Sequence, residues 1–410
     1  MSGGLMQLVA IGQQDAYLTE NPTITYWKRA YQRHTNFAVE SVEQSTGGSV
    51  NFGNKMQVTI SRNGDLLNKA YLEVKLPEGI EPSKFVPYVG HAMIKSIEMS
   101  IGNQRIDKHS GEWMHLWYQL SCKNKDGYDK MIGKKVEEKG QTIYIPLCFW
   151  WNRTPGMALP LIALQYHEVK ITVEFNNLKD ILVDDHQLTS LPTSVNASLF
   201  TDFIYIDTEE RKRFAQKPHE YLIDQVQEGV TETINASNHR YSLNFNHPCK
   251  ELVWVIRPNG GDRFKYCKTV KHADGSESTK DGSEIVADFD DVMEIISDVN
   301  HDASSSEKQS FDTAKLQLNG HDRFSERDAR YFNLVQPYQH HTNVPNTGVY
   351  CYSFALEPES EQPSGTCNMS RIDRADLCLT KPEQGEIMVY ATNFNILRIM
   401  GGMGGIAYAN

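Results

Sequence analysis

The sequence has no long hydrophobic run. Its longest unbroken apolar stretches, such as residues 145–151, fall far short of the roughly 20 residues that a membrane helix needs. No Lys or Arg precedes Lys28, so the positively charged start of a secretory signal is missing, and Ser2 stands where a myristoylation signal requires Gly. Cysteine is sparse and unpaired in pattern. The seven residues at 122, 148, 249, 267, 351, 367 and 378 are odd in number and form no CxxC. That argues against a disulfide framework or a zinc site and for thiols in a reducing compartment. Positive charge is also short, with 41 Lys and Arg against 52 Asp and Glu, a net of −11. A protein that coats nucleic acid draws its affinity from cationic contacts to phosphate, so direct nucleic-acid binding is not expected. HExxH, GxSxG and Walker A motifs are all lacking, and no pair of acids can be assigned to acid/base work. No catalytic site, metal site or cofactor is expected.

What is present is a chain of 410 residues with 40% apolar content, enough for packed cores and long enough for two domains. Most of it reads as strands. Residues 55–60 alternate, with Met56, Val58 and Ile60 on one face. The turn Arg62-Asn63-Gly64-Asp65 follows, and a second apolar run at 70–76 ends before Pro77. An Asn-Gly between two such runs predicts a hairpin. Further strands are predicted at 94–101, 143–150, 168–175 and 202–207, and then at 240–246, 251–257, 314–318, 348–355, 375–380 and 388–399. Two amphipathic helices are predicted. One spans 112–120, with Trp113, Leu116, Trp117 and Leu120 in register. The other spans 285–296, with Ile285, Phe289, Val292, Met293 and Ile296 on one face. Each is read as packing on the protein's own core.

The two halves repeat one order of features. A strand, an Asn-containing turn and an apolar strand ending in Pro occur up to Pro77 and again up to Pro258. A Gly/Asn turn and a short aromatic helix follow: Ile101-Gly102-Asn103 with 113–120, then Leu318-Asn319-Gly320 with 329–334. An aromatic strand and a Pro corner come next, Phe149 and Pro160 against Phe354 and Pro363, and apolar strands at 203–206 and 394–397 close each half. Two copies of one β fold are implied. The joint falls in the charged stretch 207–225. Inserts stand out at 122–141, at 176–198 and at 259–312. The last holds 13 acids against 6 Lys and Arg, so much of the negative charge sits on one excursion, read as a solvent-facing loop. The fold class expected is all-β, two tandem jelly-roll β-sandwich domains.

Several local patterns carry weaker signals. Gly401-Gly402-Met403-Gly404-Gly405 lacks the helix that a phosphate cradle must lead into, and is read as a strand end. His340 and His341 are adjacent and point to opposite faces of a strand, which does not suit a metal. Residues 26–34 mix Tyr26, Trp27 and Tyr31 with Lys28, Arg29, Arg33 and His34. They are read as an amphipathic arm that docks on the protein's own base or on a neighbouring subunit, with a helical turn starting at Asn21-Pro22. Four sequons begin at Asn152, Asn196, Asn235 and Asn368, of which Asn196, in a polar loop, is the candidate glycosylation site.

Long blocks of the sequence carry a resemblance. They are 14–37 (QDAYLTENPTITYWKRAYQRHTNF), 60–65 (ISRNGD), 101–109 (IGNQRIDKH), 155–170 (PGMALPLIALQYHEVK) and 213–222 (RFAQKPHEYL). To these add 318–338 (LNGHDRFSERDARYFNLVQPY), 352–373 (YSFALEPESEQPSGTCNMSRID) and 395–410 (NILRIMGGMGGIAYAN). In these blocks the chain resembles the major capsid proteins of the nucleocytoplasmic large DNA viruses, especially those of algal viruses. The resemblance implies a double jelly roll that forms homotrimers, tiles an icosahedral shell around an internal membrane and sits in the virion after assembly in the host cytoplasm. It implies neighbouring capsomers and minor capsid proteins as partners, outward inserts and an N-terminal arm near the inner face. The expected division is an arm at 1–24, a first jelly roll at 25–212, a linker at 213–225 and a second jelly roll at 226–410. A paralogous minor capsid protein would share these blocks. A carbohydrate-binding β-sandwich and a glycoside hydrolase on the same scaffold are the rival functions, and neither accounts for the blocks.

Overall fold

The computed structural model describes residues 2–46, 50–183, 194–260, 263–267 and 308–409. The helix expected at 285–296 and most of the acidic insert lie outside them. The chain divides into two units, Met1–Phe37 and Ala38–Asn410. In the first, α1 (Gly3–Val9) and α2 (Gln13–Thr19) bury none of their residues. The Asp15 carboxylate accepts the Gly12 N–H at 2.9 Å and caps α2. The helical turn expected from Asn21-Pro22 is instead the end of one. Asn21 takes a φ of 53°, and a residue before proline is disfavoured in the α region.

The first half of the second unit carries β1 (Phe37–Gln44), β2 (Lys55–Thr59), β3 (Leu66–Lys75), β4 (Ile94–Ile101) and β5 (Gln104–Ser110). It goes on with β6 (Thr142–Pro146), β7 (Leu159–Pro160), β8 (Val169–Phe175) and β9 (Asn196–Ile206). Its helices are α3 (Val89–Ala92), α4 (Gly111–Ser121) and α5 (Lys125–Ile132), and α6 (Thr208–Gln216) leads out of it. The second half carries β10 (His219–Glu228), β11 (Glu232–Ile234), β12 (Asn238–Ser242), β13 (Pro248–Pro258), β14 (Thr313–Leu318) and β15 (His321–Asp322). After β16 (Arg327–Asp328) come a π-helical turn (Tyr331–Val335) and α7 (Gln336–His340). The chain ends with β17 (Val349–Ser353), β18 (Cys367–Asn368), β19 (Ala375–Thr380), β20 (Gly385–Met400) and β21 (Met403–Ile406).

Four antiparallel sheets result. Sheet I runs β1-β9-β3-β6 and sheet II runs β2-β8-β4-β5. Sheet III runs β10-β20-β13-β17 and sheet IV runs β12-β19-β14-β15. Counting in each half only the eight strands on these paths, the sheets interleave in the same way: first, last, third and sixth in one, second, seventh, fourth and fifth in the other. This is the jelly-roll winding, and both halves have it. Each also places its helix after the edge strand of the second sheet, α4 after β5 and the 331–340 helix after β16.

The predicted Asn-Gly hairpin is overturned. β2 pairs with β8 in sheet II, whereas β3 pairs with β9 and β6 in sheet I. Neither Asn63 nor Gly64 takes the positive φ of a two-residue hairpin turn. Gly64 instead lies against Phe203, where a Cβ would stand 2.5 Å from the Phe203 Cβ. The Asp65 N–H donates to Ile204 O at 3.1 Å, and its carboxylate accepts the Ile206 N–H at 3.0 Å and Arg211 at 2.9 Å. The segment is a crossing between sheets, pinned to β9. The charged insert at 122–141 also holds more order than expected. Asn124 caps α5 by accepting the Gly127 N–H, and Gly133, at a φ of 68°, ends it. Residues 213–225, expected as a linker, hold the end of α6 and the first part of β10, with Pro218 between them.

Candidate functional site: the seam between the two sandwiches

β13 and β20 are apolar on both faces, and each face has its own partner. Leu252, Trp254, Ile256, Tyr350, Tyr352, Val389 and Ala391 point into the core of the second sandwich. The alternate residues Val253, Val255, Val349, Cys351, Met388 and Tyr390 join the core cluster of the first sandwich instead. Sheet III is therefore a shared wall, buried on both sides along β13, β17 and the middle of β20. A strand buried on two faces loses the period of two, which is why 252–256 (LVWVI) and 387–391 (IMVYA) read as continuous apolar runs.

The first sandwich reaches this wall with β5, beside β10, and with α4. Ser110 caps the helix by accepting the Trp113 N–H at 3.3 Å, and Trp113 packs on Tyr390 with ring centroids 5.5 Å apart. Glu112, buried on the first turn, accepts from the Arg257 guanidinium and the Tyr266 hydroxyl, with Arg263 Nε at 4.0 Å. At the far end of the helix the Asn343 N–H donates to Leu120 O at 2.9 Å, and the Asn346 N–H to Gln119 Oε1 at 3.0 Å. Gln119 Nε2 donates to His115 Nε2 at 2.8 Å, and the Phe264 ring stacks on His115 at 4.3 Å. Burial, with help from His91 and Lys134, holds the His115 pKa well below its ordinary value, and burial takes His91 down to about 3.

Beside α4 runs a line of charge. The Asp224 carboxylate on β10 accepts from Arg153 of the first sandwich and, at 3.0 Å, from Lys250 on β13. Arg153 lies 4.5 Å over Trp117, and Lys250 lies 4.8 Å over Phe394. Lys250 is 2% exposed, and burial lowers its pKa against the pull of Asp224. Asp107 accepts the Val226 N–H at 3.1 Å and lies 2.8 Å from His109, both groups buried. Further along, the Tyr166 N–H donates to Gly402 O at 2.9 Å. Gly401 and Gly402 have φ of 60° and 80° and make the two-residue turn between β20 and β21. The glycine-rich end is thus a tight hairpin fastened to the first sandwich.

The residues singled out in the sequence fall in separate places. His341 is buried between Glu251, at 2.8 Å, and Glu359, at 3.0 Å, whereas His340 is 2.9 Å from Leu356 O, so the two rings diverge. Burial alone would lower the His341 pKa, but Glu251, Cys351 and Glu359 outweigh it and raise it well above the ordinary value. Residues 26–34 expose Tyr26, Trp27 and Tyr31. Asn196 is exposed at the start of β9, opposite Lys75, rather than in a loop. Asn235 and Asn368 are exposed, and Asn152 is half-buried. Among the described residues no group of His, Cys, Asp and Glu is arranged to hold a metal. The carboxylates of the seam are tied to fixed cations and N–H groups, so the arrangement immobilises two sandwiches against each other. Sequence reasoning missed these pairs. The one signal for them was the missing alternation in β13 and β20.

Comparisons with known proteins agree with this architecture. Residues 25–207 match the family described as major capsid protein N-terminus, and residues 210–405 match the large eukaryotic DNA virus major capsid protein. The chain is 44% identical to the major capsid protein of Pyramimonas orientalis virus and 40% identical to that of Paramecium bursaria Chlorella virus 1, over the whole of both chains in each case. A chain of the PBCV-1 virus capsid superposes with a TM-score of 0.79 at 35% identity, covering 94% of this chain and 100% of that one. The Faustovirus major capsid protein, at 12% identity and a TM-score of 0.69, shares the fold. These relatives are shell proteins, not enzymes. With both halves matched and whole-length identity of this size, the chain belongs to the major capsid proteins of large eukaryotic DNA viruses.

Proposed function

We propose that three copies of this chain close into a capsomer of near-hexagonal outline, and that such capsomers tile an icosahedral shell. The observation that carries this reading is the equal winding of the two sandwiches, locked together by a buried seam. Three chains then offer six similar units, and a threefold assembly can meet six neighbours through near-equivalent contacts. The two jelly rolls, β1 to β9 and β10 to β21, are the tiles, and residues 1–24 are an arm on the inner side, near an internal membrane. Partners are neighbouring capsomers and minor capsid proteins. Assembly takes place in the host cytoplasm, with no direct contact to nucleic acid and no cofactor. Asn196 is the sugar-bearing asparagine of this reading, and its test is the mass of the peptide that contains it, from protein made in the natural host.

Light scattering of the purified protein tests the assembly. The expected mass is three times 46.7 kDa. Contacts between obligate subunits typically bury roughly 2,000–5,000 Å², so the trimer should persist at micromolar concentration. A stable monomer there overturns the reading.

A further inference from the structure

We propose that the helical segment 331–340 of one copy docks on the outer face of sheet I of the next copy, repeating between chains the contact that α4 makes with sheet III within the chain. The inference rests on the trimer reading above and names its contact surfaces.

The donor surface is an uncovered helix face. α4 and the 331–340 helix occupy the same place in the two windings. On α4, Trp113 and Trp117 are four residues apart and stack with centroids 5.9 Å apart; Trp113 meets Tyr390 across the seam, and Trp117 carries the Arg153 guanidinium that reaches Asp224. On the second helix Leu334 and Tyr338 have the same spacing, yet they are 46% and 81% exposed. Leu356, 72% exposed, adjoins them through the contact of its carbonyl with His340. Monomeric proteins seldom leave such side chains together in water.

The acceptor surface is the counterpart of the shared wall. In sheet III the row Cys351–Val253–Tyr390 crosses β17, β13 and β20 and lies under the first sandwich. In sheet I the row Pro146–Tyr71–Phe200 crosses β6, β3 and β9, the same three strand positions. It is apolar, and Pro146, Tyr71 and Phe200 are all left half-exposed. Tyr71 stacks on Phe200 at 5.4 Å and meets Tyr144 edge-on at 6.1 Å. Tyr71, Tyr144, Pro146, Leu147 and Met131 line an open groove of about 470 Å³. The occupant we assign is a second copy, because the chain already joins this type of helix to this type of sheet once.

The two surfaces are different patches of one molecule, so the contact is head-to-tail. Such contacts form rings or open chains, never twofold dimers, and a rotation of 120° closes them at three. Every helix and every groove is then used, and the six sandwiches alternate around the ring.

The test uses the full chain in light scattering and oxidative cross-linking. Leu334→Glu combined with Tyr338→Glu, and separately Tyr144→Glu, should each lose the threefold mass at micromolar concentration while the far-ultraviolet circular dichroism stays that of the parent. A chain with Met131→Cys and Tyr338→Cys, treated with oxidised glutathione, should give covalent dimer and trimer bands absent from the parent. This arm holds even if a Glu variant fails to fold. Parent and Glu variants all trimeric, with no new bands, overturn the docking and leave the trimer reading standing. A monomeric parent overturns both. Bands that form only with an added minor capsid protein assign the groove to that partner and overturn the proposal.

Discussion

Trp113 on α4 and Tyr390 on β20 meet across the two sandwiches with ring centroids 5.5 Å apart, and both are fully buried. Neither ring belongs to a core formed within one half alone. Trp113→Ala should therefore cost about 3–5 kcal/mol, the range for deleting a buried aromatic. Trp113→Phe should recover most of it. Urea unfolding of the two variants, compared with the parent, is the check, and a Trp113→Ala midpoint equal to the parent's would contradict the shared wall.

Asp224 is the hinge of the charge line, since it holds two cations at once. Asp224→Asn leaves the Lys250 ammonium buried without a counter-charge, and breaking such a pair typically costs about 3–5 kcal/mol. Lys250→Met removes the ammonium and keeps the apolar stem, while Arg153 still answers Asp224. It should cost far less. The expected order of melting temperatures is parent, then Lys250→Met, then Asp224→Asn well below.

Acid should loosen the seam through His91 and His115. Both are buried and neutral, with pKa values below those of the unfolded chain. Their contribution is complete above the unfolded value of about 6.5. Below it, each binds a proton in the unfolded state first, and stability falls by about 1.4 kcal/mol per pH unit per histidine. For His91 the fall continues toward pH 3. Thermal melts between pH 7 and pH 4 should show this slope, and His115→Gln should flatten it.

His341 acts in the opposite sense. Its pKa is raised in the folded chain, with Glu251 the main cause that opposes burial. Its contribution is complete below about 6.5 and is lost as the pH rises through the raised value. The melting temperature should therefore fall on the alkaline side, and His341→Gln should be less stable at pH 7 and lose less on going to pH 10. An alkaline limb equally steep in parent and variant would remove this role.

The winding was legible because strand runs and their Pro, Asn and Gly stops are local. β4, β14 and β19 lie at or within one residue of the expected positions, and α4 exceeds its expected span by one residue at each end. The Asn-Gly turn misled because turn chemistry permits a hairpin without requiring one. Gly64 was needed for its closeness to Phe203, 139 residues away in sequence, and no local pattern reports that. The charged stretch at 122–141 looked like a loop because only Ile132 of α5 is buried, so its apolar period was faint. The seam itself escaped for a similar reason. Glu112 and Arg257 become partners only once two sandwiches have formed. What the sequence did carry was the resemblance, which covers both halves and anticipated the double winding.

The doubly buried wall of sheet III has an evolutionary consequence. A side chain on β13 or β20 must satisfy a neighbour whichever way it points, so a tolerated change on one strand needs a matching change elsewhere. Sheet I alternates instead, with Lys69, Tyr71, Glu73 and Lys75 turned outward from β3. Divergence among descendants should therefore collect at the charged outward positions of β3, Lys69, Glu73 and Lys75, and spare both the inner partition and the aromatic row around Tyr71.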